Sequence, residues 1–245
     1  MPSPERPSAN AHVAGDSGLQ SDVLEDLAEA VRYRRWLVAV TAPHLGDDAL
    51  EIGGGRGDYA QDWVDGGLPH ITTSEADPDR LRQLQERFAG DPRVSVRELT
   101  VPISETGDYS AVVACNVLEH VPDDLQALQA FAGLVRSGGH VVLVVPAFPS
   151  AMSEFDRSIG HFRRYRRKGL ASLATAAGLQ VVEARYLNML GLLGWYVVVK
   201  GLKGRPKAGL MLTAYDRGVV PWLSRLETRF RPPFGQSVLL VARVP

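Results

Sequence analysis

The sequence predicts an α/β fold: a parallel, doubly wound sheet with helices on both faces and its ligand at the carboxyl ends of the strands. Three observations carry this expectation. An apolar run, Ala49-Leu50-Glu51-Ile52, ends on a turn with glycines at 53, 55 and 57. Residues 71–77 repeat the pattern, opening on Ile71 and closing on the acid Glu75. Strand and helix signals then alternate as far as Val145, and 111–114 is apolar throughout, as a strand covered on both faces requires.

Each element has its own signal. Ser21 is placed to cap a helix over 22–45, with Leu24, Leu27, Ala28, Val31 and Leu37 at helical spacing, and Gly46 to stop it. A strand to Ile52, a helix after Gly57 and a strand near Ile71 follow. A helix over 78–88 carries proline in its first turn, and Val94 and Val96 alternate as a third strand. The fourth strand is 111–114, then come a helix over 123–135, a turn at Gly138-Gly139 and a fifth strand over 140–145. Beyond Pro146 a loop over 147–160 leads to an arginine-rich stretch, a helix over 170–177, a strand over 179–186 and a last strand over 237–244. The intervening 187–236 is far longer than a hairpin needs and predicts a helical cap.

Composition narrows the class. A chain of 245 residues with 45% hydrophobic content buries one large α/β domain, expected here over 21–245. A net charge of −1 gives no global attraction to nucleic acid. The single cysteine, Cys115, excludes an internal disulfide and a four-cysteine zinc site, and no metal is expected. Residues 1–20 are rich in Pro, Ser, Ala and Gly and read as a disordered leader. No segment reaches transmembrane length, so a cytoplasmic location is expected, with peripheral membrane contact through the cap.

The turn at 53–57 is G-x-G-x-G rather than the G-x-G-x-x-G that seats a pyrophosphate, and Glu51 precedes it. A carboxylate there repels a diphosphate and suits a cationic ligand carrying an amino group or a sulfonium. S-adenosylmethionine is the ligand that fits. Glu75, about twenty residues further on, then has two readings: acceptor for both ribose hydroxyls, or a plain surface acid before the helix cap Asp77-Pro78.

With these pieces placed, the chain resembles the class I S-adenosylmethionine-dependent methyltransferases. The resemblance rests on Leu-Glu-Ile-Gly-Gly-Gly-Arg-Gly at 50–57, Ser-Glu-Ala-Asp-Pro at 74–78, Val-Val-Ala-Cys-Asn-Val-Leu-Glu-His-Val-Pro-Asp-Asp at 112–124 and Arg-Ser-Gly-Gly-His-Val-Val-Leu-Val-Val-Pro at 136–146. It implies a Rossmann-like sheet of seven strands, the last antiparallel and inserted between the fifth and sixth. It also implies that Glu51, Gly53, Gly54 and Gly55 hold the methionine end, Glu75 and Ala76 the ribose, and Asn116 and Val117 the amino group through the backbone. Thr100 stands where many relatives place an adenine-binding Asp. Further blocks at 32–37, 160–165 and 232–235 look like a bacterial subgroup whose acceptors are largely unassigned.

The implied activity is methyl transfer to an O, N or C atom of a small organic or lipid-linked acceptor. A catalytically silent cofactor-binding or scaffolding protein is the alternative. Methyl transfer from a sulfonium mainly needs alignment and exclusion of water, with a base only for an acceptor that loses a proton. His161 is the candidate base and His120 the second; either also reads as a structural histidine. Tyr33 and Trp36, three apart on one helical face, either shield the sulfonium or pack the core. Arg164 and Tyr165 are candidate acceptor contacts in a basic run (Arg163, Arg164, Arg166, Arg167, Lys168) that reads either as a solvated face or as an anion site. With Lys200, Lys203, Arg205 and Lys207 it points to an anionic or membrane-associated acceptor; nucleic acid is disfavoured, because basic–aromatic interleaving is otherwise absent.

Overall fold

The computed structural model describes residues 29–201 and 209–245. The expected leader, the cap Ser21, and Lys203, Arg205 and Lys207 lie outside these residues.

Seven strands form one sheet: β1 (Asp48–Ile52), β2 (His70–Glu75), β3 (Val94–Glu98), β4 (Tyr109–Cys115), β5 (Val135–Pro146), β6 (Gln180–Leu187) and β7 (Ser237–Arg243). Their order is β3-β2-β1-β4-β5-β7-β6. β1–β5 pair in parallel, and β7 runs antiparallel to both β5 and β6. Strand residues alternate between two buried layers. Ala49, Ala111, Val113, Val142 and Leu239 face one, Leu50, Val112, Val141, Leu143 and Leu240 the other.

The first layer is closed by α1 (Val31–Thr41), α2 (Asp58–Asp65) and α3 (Pro78–Arg87), through Leu37, Trp63 and Leu84. The second is closed by α4 (Asp124–Gly133) through Leu128 and Phe131 and by α6 (Arg167–Ala176) through Leu170, with the short α5 (Glu154–Ser158) before it. α3 starts where its sequence says, since Asp77 accepts from the N–H groups of Asp79 and Arg80 and Pro78 needs no donor.

Two boundaries differ from expectation. The first helix is not one piece over 22–45: Ala30 is non-helical (ψ 57°), and the α-helix gives way to a 3-10 turn at Ala42–His44. Pro43 explains the far end, because its ring blocks continuation of the α ladder. β5 starts at Val135 rather than His140, because Tyr109 pairs with Val135 before the β4–β5 register shifts. The expected glycine turn is thus a bulge within that strand, with Gly138 at φ 82°.

Between β6 and β7 the insertion is helical: α7 (Met189–Trp195), a π turn (Tyr196–Gly201), α8 (Leu210–Ala214), a second π turn (Tyr215–Val219) and α9 (Val220–Arg229). Two buried acids fasten it. Asp216 accepts from the N–H groups of Arg32 (3.1 Å) and Tyr33 (2.8 Å), capping α1 from 184 residues away. Glu227 of α9 accepts from Asn188 (3.0 Å) and Met189 (2.9 Å), capping α7. Each satisfies donors that a helix start otherwise leaves open. No helix among the described residues is long and apolar enough to cross a membrane.

Replacing Asp216 with Ala removes acceptors from two first-turn N–H groups. The expected loss is about 1–2 kcal/mol, read as a fall in Tm of about 2–8 °C. An unchanged Tm would mean that the insertion does not hold α1.

Candidate active site

The glycine turn is dictated by backbone geometry. Gly53, Gly55 and Gly57 all lie at positive φ (70°, 56° and 80°), which side chains disfavour. Gly54 has ordinary φ but no room: a Cβ there would lie 2.0 Å from Thr73 Oγ1. Its N–H donates to Ser74 O (2.7 Å) and that of Gly55 to Glu75 Oε2 (3.0 Å), so the turn is bound to the end of β2.

Glu75 is therefore no plain surface acid. It is buried, and its other oxygen, Oε1, accepts from the N–H groups of Ala76 (2.9 Å) and Asp77 (3.0 Å). Arg80, also buried, brings its Nε to 3.8 Å from the same oxygen. Glu51 is almost wholly enclosed, accepts from Thr73 Oγ1 (2.7 Å), and is pushed up to about 7 by burial, with Glu75 and Asp58 adding repulsion. Burial thus favours the neutral carboxyl, and a cation brought beside it would favour the charged form. Tyr59, whose hydroxyl burial pushes upward, packs its ring 5.6 Å from that of Trp63.

The backbone is unusual along that edge. The non-glycine residues at positive φ among those described are Asn116, Phe148 and Asn188 (55°, 61° and 63°), and they directly follow or lie just beyond β4, β5 and β6. Such conformations cost free energy and concentrate where ligands are held. Asn116 is anchored by its N–H to Val144 O (2.8 Å), and a Cβ on Gly53 would lie 2.8 Å from Val117, so the β4 loop abuts the glycine turn. Thr100 lies exposed just past β3.

Other expected site residues are committed to the protein itself. Arg164 is buried: its Nη2 donates to Asp156 Oδ1 (2.7 Å), and its guanidinium lies 4.2 Å from the Trp195 ring centroid. The Tyr165 hydroxyl donates towards Asp124 Oδ2 (3.1 Å) and Leu118 O (3.3 Å). Neither is free for an acceptor. Arg163 pairs with Asp124 (2.7 Å), so the basic run is partly neutralised internally. Trp36 is packed in the core against Tyr33, edge to face at 6.0 Å, although its buried indole N–H lacks an acceptor. Tyr33 bonds Ser237 (3.1 Å) and is pushed up to about 12 by burial.

His161 is enclosed rather than open to an incoming acceptor. Its Nδ1 lies 3.1 Å from Asp156 Oδ1 and its Nε2 3.9 Å from Glu119 Oε1, and it meets His120 edge to face at 4.5 Å. Burial pushes Glu119 up to about 7 and, with repulsion from His161, His120 down to about 3. Burial opposes ionisation of Asp156, but its bonds from His161 and Arg164 hold it down at about 2. Sequence reasoning missed this convergence, along with Arg80, Tyr59, Asp216 and Glu227. Only the Ser153-x-x-Asp156 capping box left a local signal.

Two surface hollows lie elsewhere. One of about 340 Å³ involves Val40, Glu183, Arg185 and Arg231, and one of about 370 Å³ is bounded by Leu190, Val219, Trp222, Leu223 and Leu226 of the insertion.

A profile of the methyltransferase domain family matches residues 22–184. The chain belongs to that family, and its fold is that of the class I S-adenosylmethionine-dependent methyltransferases. An uncharacterized methyltransferase of Mycobacterium bovis (strain BCG / Pasteur 1173P2) is 28% identical over 129 residues, 52% of this chain and 50% of the relative. The ubiquinone biosynthesis O-methyltransferase of Ralstonia nicotianae is 27% identical over 178 residues, 64% of this chain and 73% of the relative. The chain spans about half the length of the mycobacterial relatives it matches. Among solved structures, Streptomyces coelicolor A3(2) geranyl diphosphate C-methyltransferase superposes with a TM-score of 0.59 at 14% identity, over 85% of this chain and 77% of that one. The [4+2]-cyclase SpnF gives 0.59 at 12%, over 95% and 97%. These two likenesses carry the fold alone.

Glu51 also sets a pH dependence. Its folded value of about 7 lies above the ordinary 4.5, so the native state holds the proton more tightly than the unfolded chain. Its stabilising contribution is full below 4.5 and lost as pH rises to about 7, a change of up to about 3 kcal/mol. Glu51→Gln keeps an acceptor for Thr73 and removes the titration. Urea denaturation across this range is expected to show a flatter decline for the variant than for the wild type. Parallel declines would mean Glu51 ionises normally.

Proposed function

We propose that this chain transfers the methyl group of S-adenosylmethionine to an O, N or C atom of a small organic or lipid-linked acceptor. The observation that supports this most is the glycine turn locked to Glu75 beside the buried, cation-seeking Glu51 at the carboxyl edge of the sheet. When bound, S-adenosylmethionine supplies a methyl group already activated on a sulfonium.

The residues of the chain then divide the work. Gly53, Gly54 and Gly55 present backbone without side chains to the methionyl part. Glu51 opposes its positive charge, with Asn116 and Val117 offering backbone groups from the β4 loop. Glu75 retains lone-pair capacity on Oε2 for the ribose, Ala76 flanks it, and Thr100 offers a hydroxyl on the adenine side. Tyr33 is the aromatic candidate to shield the sulfonium, with Trp36 packed in the core behind it. No general base is assigned, since His161 is already engaged by Asp156. Residues 21–245 act as one methyltransferase domain, with 187–236 as the cap over the acceptor.

The lipid-linked reading draws on the insertion. Trp222 and Leu226 project from α9 one turn apart, exposed, with exposed Phe230 just past its end and Arg225 and Arg229 beside them. Leu193, Val197, Leu210 and Met211 are exposed too. An apolar face bordered by arginines is suited to an anionic membrane interface.

Two experiments test these levels. Isothermal titration of Glu75→Gln is expected to show about 10-fold or greater weakening of S-adenosylmethionine binding, as loss of a charged acceptor implies. Unchanged affinity would remove Glu75 from the site, and binding without formation of S-adenosylhomocysteine across acceptors would favour the silent alternative. Trp222→Ser with Leu226→Ser is expected to abolish sedimentation with phosphatidylglycerol vesicles while sparing cofactor binding. A wild-type protein that never sediments would leave only the free small-molecule acceptor.

A further inference from the structure

We propose that Glu119, His120 and His161 bind a divalent transition-metal ion of the zinc, manganese or iron kind. Glu119 and His120 lie on the 3-10 turn Leu118–His120 after β4, and His161 lies beyond α5. A backbone bond from Phe162 N–H to Glu119 O (2.8 Å) brings the two segments together, and one from His161 N–H to Asp156 O (2.9 Å) folds the second back on α5. One ligand-type atom from each of the three residues lies within 4.8 Å of the others. Donors bound at about 2.1 Å to a shared tetrahedral ion lie about 3.4 Å apart, so side-chain shifts that draw these atoms together by up to about 1.4 Å complete the site.

Burial makes the cluster unusual. Neither carboxyl oxygen of Glu119, which is fully buried, has a hydrogen-bond partner, and neither has the buried Nδ1 of His120. Buried polar atoms are nearly always satisfied, by protein, water or an ion. Three converging groups, each with a lone pair to offer, are unfavourable to one another until a cation stands between them.

The surroundings orient the ligands. Asp156 sits at ion-pair distance, 3.1 Å, from His161 Nδ1 without the alignment of a hydrogen bond, and Arg164 and Ser153 bond Asp156 in turn. A carboxylate behind one imidazole nitrogen directs the other at a metal, and here that other nitrogen faces Glu119 at 3.9 Å. Two imidazoles and one carboxylate select transition metals over magnesium or calcium. The inference does not rest on methyl transfer, and its readouts need no cofactor.

The test is titration of chelator-treated full-length protein with cobalt(II), followed by its visible absorption, and with zinc(II) against a chromophoric chelator. One ion per chain with a rise in Tm is expected. Glu119→Gln and His161→Gln are each expected to weaken binding at least about 10-fold, with far-ultraviolet circular dichroism unchanged. Should either fail to fold, His120→Gln is read instead. Asp156→Asn, which keeps the side chain's shape but also removes the charge that Arg164 faces, is expected to weaken binding about 10-fold with far-ultraviolet circular dichroism unchanged. No uptake at millimolar ion overturns the proposal, as does uptake unaffected by these substitutions, for example by His44 and His140, whose rings lie 5.9 Å apart elsewhere.

Discussion

Two hydrogen bonds, from the N–H groups of Gly54 and Gly55 to Ser74 O and the Glu75 carboxylate, fix the carboxyl edge of the sheet. They bind the turn after β1 to the end of β2, so neither can shift alone. Gly54 closes to where Thr73 and Glu51 would collide with any side chain, and Gly53 to where Val117 would. The glycines thus bring three strand ends within reach of one ligand. The acids follow from the same closure: Glu75 is held by N–H groups it must satisfy, and Glu51 is enclosed with its carboxyl bonded by Thr73.

The sheet's other end of the sequence is governed by buried acids. Asp216 and Glu227 tie the insertion to the starts of α1 and α7, and Asp156 ties Arg164 and His161 behind the β5 loop. A carboxylate accepting backbone N–H groups at a helix start holds position without a large apolar contact. The insertion can therefore leave Trp222, Leu226 and Met211 exposed and still be fixed where it stands.

The parts of this structure legible in the sequence are those with local or periodic causes. The alternation of strands and helices, the positive-φ glycines at 53, 55 and 57 and the Asp77-Pro78 helix start each follow from a short stretch of chain. The opposing layers of the sheet followed from runs such as 111–114. Long-range partners were not legible. Arg164 reads as a free cation until Asp156 and Trp195 are placed around it, and His161 reads as an available base until Glu119 and His120 arrive from 42 and 41 residues upstream. Asp216 and Glu227 look like ordinary surface acids, because their donors lie 184 and 39 residues away.

The most direct test of the cofactor edge is ultraviolet crosslinking with methyl-labelled S-adenosylmethionine and peptide mapping of the full-length protein. Label is expected on peptides spanning the glycine turn, the end of β2 and the loop after β4, and to be competed away by S-adenosylhomocysteine. Label confined to other surfaces, such as the hollow beside Val40 and Arg185, or label that the competitor does not displace, would contradict it.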